Sequence, residues 1–271
     1  MEINHNHLRI FRLFLKLLEE TSVWRAPARE QLDGKWGTFV LMTFLMCVIQ
    51  VLLQIPGYIG GILEVLSPEN AMASLSLSNI SNILSLLALP LSWGLTVSLL
   101  RNHREESVDL ENLFEGFRRG RYVRVFCALF LVNLFTFLWA LLLIIPGIMK
   151  AFSYALTPYI LLDEPELTAK QAISRSCEIM QGRRWKLFCL YFSFIGWGIL
   201  CLLTFGIGFL WLVPYMNASV AAFYEDARAE YEARLADLEV AQATSLRLGV
   251  FSGVSDAGRW VGPPTPSPCL H

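Results

Sequence analysis

Hydrolytic, redox and proton-relay chemistry needs titratable or nucleophilic side chains brought within reach of one another, and the chain offers few of them in workable places. The four histidines are His5, His7, His103 and His271. All lie outside the long apolar stretches, so no Ser–His pair is expected at membrane depth. Those stretches also hold no Asp or Glu, which argues against aspartyl proteolysis within a bilayer and most proton relays. Cys47, Cys127, Cys177, Cys189, Cys201 and Cys269 show no Cys-x-x-Cys spacing, and His5-x-His7 is a weak pair by itself. No phosphate-binding or dinucleotide glycine motif occurs. The expectation is a protein that is not an enzyme and carries no cofactor or metal.

Several residues keep a second reading. Lys150, just after Pro146-Gly147, suits an anionic headgroup or substrate or, more simply, reaches out to the membrane surface. Asp163, Glu164 and Glu166 read as partners for Arg183, Arg184 or Lys186 or, more simply, as solvated groups around Pro165. Asn133, Tyr154, Tyr191, Ser193 and Asn217 are polar groups at or near membrane depth. They suit a ligand site or, at less cost, hydrogen bonds between helices. Pro158 and Pro214 precede tyrosines (Tyr159, Tyr215), remove backbone donors and should kink their helices. Such kinks line a cavity or let helices wrap one another. The residues assigned to a ligand or headgroup contact are Lys150, Tyr154, Pro158, Pro214 and Tyr215.

The elements that hold these residues follow from composition. Of 271 residues, 55% are apolar or aromatic and 17% charged, where soluble domains carry about 25% charge. The net charge of −1 gives no overall case for nucleic acid. A bilayer core about 30 Å thick needs roughly 17–25 apolar residues per helix. Thr38–Leu63, Ile80–Leu100 and Val125–Ile145 meet that, and Leu187–Thr204 with Ile207–Phe223 reads as a tight hairpin around Gly206. Gly147–Leu162 has only 16 residues, so the architecture is an all-α polytopic transmembrane bundle of six spans, or five spans plus a re-entrant segment.

Six spans put every Lys and Arg but Lys150, out of 22, on one side, which makes that side and both termini cytoplasmic. The outer loop Ser67–Asn79 has none. The chain then divides into an amphipathic N-terminal arm (1–37), hairpins at 38–100, 125–162 and 187–224, cytoplasmic interfacial helices at 101–124 and 163–186, and a tail at 225–271. In the arm, Leu8–Leu18 has a charged and an apolar face, suited to anionic headgroups or to packing beneath the bundle. The tail should begin as a solvated helix (Tyr224–Ala243) and end disordered from Gly253.

An internal repeat accounts for the division. Gly120-Arg121-Tyr122-Val123-Arg124-Val125-Phe126-Cys127 aligns without gaps on Gly182-Arg183-Arg184-Trp185-Lys186-Leu187-Phe188-Cys189. A short amphipathic helix precedes each, with apolar Leu110, Leu113, Phe114 and Phe117 in one. The other has Ala169, Ala172, Ile173, Ser176, Cys177 and Met180, a Thr168–Gln171 capping box and a terminating Gly182. Gly34-Lys35-Trp36 opens the first hairpin more loosely.

Read in order, Ala28-Arg29-x-x-Leu32-x-Gly34-x-Trp36, Leu113-Phe114-x-Gly116-Phe117 and Ile145-Pro146-Gly147-Ile148 resemble a bacterial family of polytopic membrane proteins catalogued as a domain of unknown function. The more specific half follows in Ala172-Ile173-x-x-Ser176, Met180-x-Gly182, Phe194-Ile195-Gly196-Trp197, Thr204-x-Gly206-Ile207-Gly208 and Pro214-Tyr215. The similarity covers about residues 25–225. It implies a bacterial integral membrane protein and no activity or site. The functional expectation is therefore a non-enzymatic protein of the cytoplasmic membrane, acting in membrane organisation or as a partner subunit of a membrane complex. Its partners are the bilayer, with anionic lipid at the cytoplasmic face, and a membrane protein. The alternative is a transporter or lipid-handling protein with its site at the proline-broken helices.

Overall fold

The computed structural model describes residue 19 and residues 21–105, 108–118, 120–142 and 144–251. The readings of Leu8–Leu18 and of the chain from Gly253 lie outside the described residues. The order is α1 (Ser22–Leu32), α2 (Trp36–Leu66), a 3-10 turn at Pro68–Asn70, α3 (Ala71–Leu87) and α4 (Leu89–Glu105). A 3-10 helix at Leu110–Phe117 leads to α5 (Tyr122–Leu142), α6 (Ile144–Tyr154) and α7 (Thr157–Asp163). Then come α8 (Ala169–Ile179), α9 (Arg184–Ser193), α10 (Ile195–Leu203) and α11 (Phe209–Phe251). The described residues contain no strand, as the composition requires.

Four helical segments are long and apolar enough to cross a membrane: α2, the α3–α4 pair, α5 and the α9–α10 pair. Their outward faces carry Leu52, Ile59 and Ile62 on α2 and Phe137, Leu138 and Leu141 on α5, all exposed. An apolar surface of that extent is stable against hydrocarbon, not water. At 1.5 Å per residue the 31 residues of α2 extend about 46 Å, longer than the hydrocarbon core, so the helix tilts or projects.

Two expectations fail here. Ser67–Asn79 is not a loop, because α3 starts at Ala71 and lies along α2. The Gly57 N–H donates to Ser81 Oγ at 2.6 Å and Gln54 Nε2 to Ser85 Oγ at 3.0 Å. A Cβ at Gly60 would sit 2.8 Å from the Ser74 carbonyl oxygen. A Ser-rich stretch reads as polar, yet set against Gly57 and Gly60 of α2 it is how two helices approach closely in lipid. The segment before α5 is a 3-10 helix, not an α-helix, and it is strapped against α4. A Cβ at Gly94 would meet the Leu113 carbonyl oxygen at 2.0 Å, and one at Gly116 the Pro90 carbonyl oxygen at 2.6 Å. Leu113 is buried while Leu110, Phe114 and Phe117 stay exposed.

The helix at Ala169–Ile179 reads as expected. Thr168 and Gln171 form the capping box of α8, and Ala172, Ile173, Ser176, Cys177 and Met180 are fully buried. Turns interrupt the helix between α6 and α7, just before Pro158, and between α9 and α10 at Phe194. Pro214 breaks nothing, since α11 runs through it. Tyr224–Ala243 continues that helix.

Each hairpin opens on a glycine in the left-handed region: Gly34 (φ 73°), Gly120 (φ 89°) and Gly182 (φ 78°). Each stands two residues ahead of its helix, α2, α5 or α9. No atom crowds the Cβ position at any of the three, so the backbone turn and not space selects glycine.

Candidate functional site

Charged side chains gather at the ends of α4, α7 and α8 and along α11. Asp163, at the last position of α7, has a side chain only 5% exposed. Arg104 donates to its two oxygens at 2.6 and 2.9 Å, and Arg228 and the Tyr224 hydroxyl each donate to Oδ2 at 2.6 Å. Burial by itself would raise this carboxyl. The Arg104 and Tyr224 hydrogen bonds, with the charges of Arg104 and Arg228, outweigh it and hold Asp163 below the usual carboxylate range. Arg104 also reaches Glu225 at 2.7 Å.

The same pattern repeats around it. Arg183 pairs with Asp226 at 2.8 Å and with Glu230, and Trp24 Nε1 donates to Asp226 at 3.3 Å. Arg175 donates to the Tyr231 hydroxyl at 2.7 Å and faces Glu164 at 3.7 Å. Arg124 donates to the Leu161, Glu164 and Pro165 carbonyls, which caps the C-terminus of α7. Glu115, buried, is held by Arg101, Arg118 and Arg121. Asn102 accepts from Lys35 Nζ at 2.9 Å and donates to the Gln31 carbonyl at 3.1 Å. His103 pairs with Gln31. Burial lowers its pKa, Glu225 opposes that, and Arg104 adds to it. Asp163 is thus paired and not solvated, neither it nor Glu164 is bound to Arg183, Arg184 or Lys186, and Glu166 is exposed, as a solvated group would be. Asp163 takes Arg104 and Arg228, which lie 59 and 65 residues away, and Glu164 takes Arg175.

A second region is built differently. Helix α1, the start of α2, α10 and the first turns of α11 border two adjoining open cavities. One, of about 500 Å³, is walled by Trp197, Leu200, Cys201, Thr204, Trp211 and Leu212. The other, of about 660 Å³, is lined by Ser22, Ala26, Glu30 and Asp33. Both are bounded by Arg25, Arg29, Trp36 and Tyr215. Arg25 and Arg29 stand four apart on α1 and so share a face. The Arg25 guanidinium lies 5.3 Å over the Phe194 ring, and Tyr215 meets that ring edge-on at 5.3 Å. Tyr215 Oη donates to the Arg25 carbonyl at 3.4 Å. Arg25 Nε is buried without a hydrogen-bond partner. Among the described residues, neither arginine has a carboxylate within ion-pair distance.

The residues singled out from sequence do not form one site, although Lys150 and Tyr154 stand four apart on α6 and so share a face. Lys150 lies 4.8 Å over the Trp139 ring. Tyr154 is buried with Ile173 and Cys177, its ring 6.4 Å from Phe135. The Pro158 carbonyl accepts from Trp93 Nε1 at 2.7 Å and borders a cavity of about 320 Å³ with Val213 and Asn217. Pro214 is buried inside α11. Tyr215 alone of the five borders the arginine cavities. Asn133, Ser193 and Asn217 bond to carbonyls of their own helices, at Leu129, Leu190 and Val213, not across helices. Arg25 and Arg29 escaped notice as a pair because charge counting treats each basic residue alike. Their spacing of four, just before Gly34-x-Trp36, was the available signal.

No curated protein and no solved structure matches the chain. A family described as "Protein of unknown function (DUF975)" matches residues 20–152 and 141–230, most of the chain, and the protein belongs to that family.

Proposed function

We propose that this is a non-enzymatic integral protein of the bacterial cytoplasmic membrane, crossing six times with both termini inside. It acts in membrane organisation or as a partner subunit of a membrane complex. The observation that carries the reading is the meeting at Asp163. Arg104 follows the second expected span, Asp163 the fourth, and Arg228 the sixth, and the two arginines share the Asp163 carboxylate. Charge counting assigns the same three segments to one side. A re-entrant 147–162 would return Asp163 to the outer side, so the contact supports a crossing there. The glycines at 34, 120 and 182 support a unit used three times, each opening a hairpin from that side. Asp163 accepts four hydrogen bonds, which favours a role in holding helices over one in transferring protons.

Reporter fusions test the topology. A phosphatase fused after His271 should be inactive and one in the 67–70 turn active; the reverse pattern would overturn it. Saturable solute flux into vesicles reconstituted with the pure protein would count against the non-enzymatic, non-transporting role.

The second reading, a lipid-handling protein, draws support from the paired cavities at Arg25 and Arg29. It moves the site from the proline breaks to the cleft between α1, α10 and α11. Flux or lipid exchange lost in Trp211→Ala but retained in Pro158→Ala would favour it.

A further inference from the structure

The geometry points to a site for one phospholipid in that cleft, its phosphodiester on Arg25 and Arg29, a donor-bearing headgroup toward Glu30 and Asp33, and an acyl chain between α10 and α11. This rests on the reading that α1 lies at the cytoplasmic leaflet.

Four observations combine. Two guanidinium groups face the cleft without carboxylate partners among the described residues, and one of them has a buried Nε still lacking an acceptor. Guanidinium pairs bind phosphate oxygens through several directed bonds. The cavity on one side of this pair is walled by tryptophan and aliphatic side chains and opens along α10 and α11, which are otherwise exposed there. The cavity on the other side is polar and includes Glu30 and Asp33. Each cavity falls in the range of about 300–1,000 Å³ typical of small-molecule sites.

An amphiphile fits this sequence of surfaces, apolar then cationic then acidic, better than the other candidates. The chain's own N-terminal residues would bring Arg9, Arg12 and Lys16 toward two arginines. A partner helix would leave the arginines facing hydrocarbon. The carboxylates also discriminate among lipids. The ammonium of phosphatidylethanolamine or the hydroxyls of phosphatidylglycerol can donate to Glu30 and Asp33, whereas choline has no hydrogen-bond donor.

Native mass spectrometry of the full chain, with synthetic lipids added in detergent, tests this. Phosphatidylethanolamine or phosphatidylglycerol should be retained at one per chain, about tenfold more tightly than phosphatidylcholine. Phosphatidylethanolamine and phosphatidylcholine share a phosphate and a net charge, so that difference isolates the headgroup donors. Glycerophosphoethanolamine, lacking chains, should not be retained. Arg25→Gln with Arg29→Gln should cut retention about tenfold, as should Thr204→Trp, which fills the far end of the apolar cavity. Arg184→Gln, a basic residue remote from the cleft, should change nothing. Equal retention of phosphatidylcholine, wild-type retention in both cleft variants, or an equal loss in Arg184→Gln would each overturn the site. So would a dimer that excludes added lipid. Detergent binding does not depend on orientation, so this result and the reporter fusions fail independently.

Discussion

The Asp163 cluster and the Arg25–Arg29 cleft both set guanidinium groups beside aromatic rings where helices converge, yet they balance charge in opposite ways. At Asp163 each cation has its acceptor within the chain: Arg104 and Arg228 share the carboxylate, and Tyr224 completes it. At the cleft the arginines border open space, and the neighbouring carboxylates, Glu30 and Asp33, stand outside ion-pair distance. A buried charge pair that loses one member leaves the other stranded. The first region therefore holds helices together, and the second is complete only with something bound. Satisfaction of charge, not its amount, separates scaffold from site.

The sharpest way to break this comparison is Asp163→Asn. Two arginines would lose their counter-charge, and because both are about one-third exposed (33% and 38%), the loss should be about 2–4 kcal/mol, below that of a fully buried pair. Thermal unfolding in detergent should show a large fall in Tm. Arg25→Gln with Arg29→Gln should cost no more than about 0.5 kcal/mol. Equal losses would erase the distinction.

Gly182→Ala should cost about 1–2 kcal/mol by forcing Ala into the left-handed region, and it should loosen the Arg183 contacts that follow. Gly198→Ala, inside α10 and uncrowded, should instead stabilise by about 0.5–1 kcal/mol. Urea unfolding of the two side by side decides whether the turn or the helix governs.

Acid should dismantle the cluster in two stages. His103 has a lowered folded pKa, so its contribution is whole above the unfolded value of about 6.5 and is lost as pH falls through the lower folded one. Asp163 is also depressed. Its contribution is whole above about pH 4 and is lost as pH falls through a still lower value. A Tm-against-pH profile should lose its upper stage in His103→Gln and its lower stage in Asp163→Asn. A single stage, unchanged by either, would show that the cluster does not govern acid stability. A smaller loss than that of Asp163→Asn is expected for Trp24→Phe, which removes one hydrogen bond to Asp226 at 3.3 Å and should cost about 0.5–1 kcal/mol.

Much of this fold can be read in the chain without coordinates. Apolar runs at Thr38–Leu63 and Val125–Ile145 have only one stable solution in lipid, because a helix satisfies its own backbone. The capping box at Thr168 and the turn at Gly182 are local chemistry, and both stand where the residues place them. The errors share a cause. Ser67–Asn79 reads as a loop because serine and asparagine look polar until a second helix lies within reach of them. The strap at Leu110–Phe117 has a helical apolar pattern, but Gly94 lets Leu113 come so close that a 3-10 backbone results.

The site followed the same rule. Lys150, Tyr154 and Pro158 are conspicuous in a linear reading, since each is an odd residue in an apolar run, but none of them borders the arginine cavities. Arg25 and Arg29 look ordinary in the sequence, and only the crossing of α1 over α10 and α11 gives them a cavity. Class and helical content are set by composition and local pattern, which act between residues a few positions apart. Which arginines answer Asp163 was decided by contacts spanning more than fifty residues, where packing alone determines what meets.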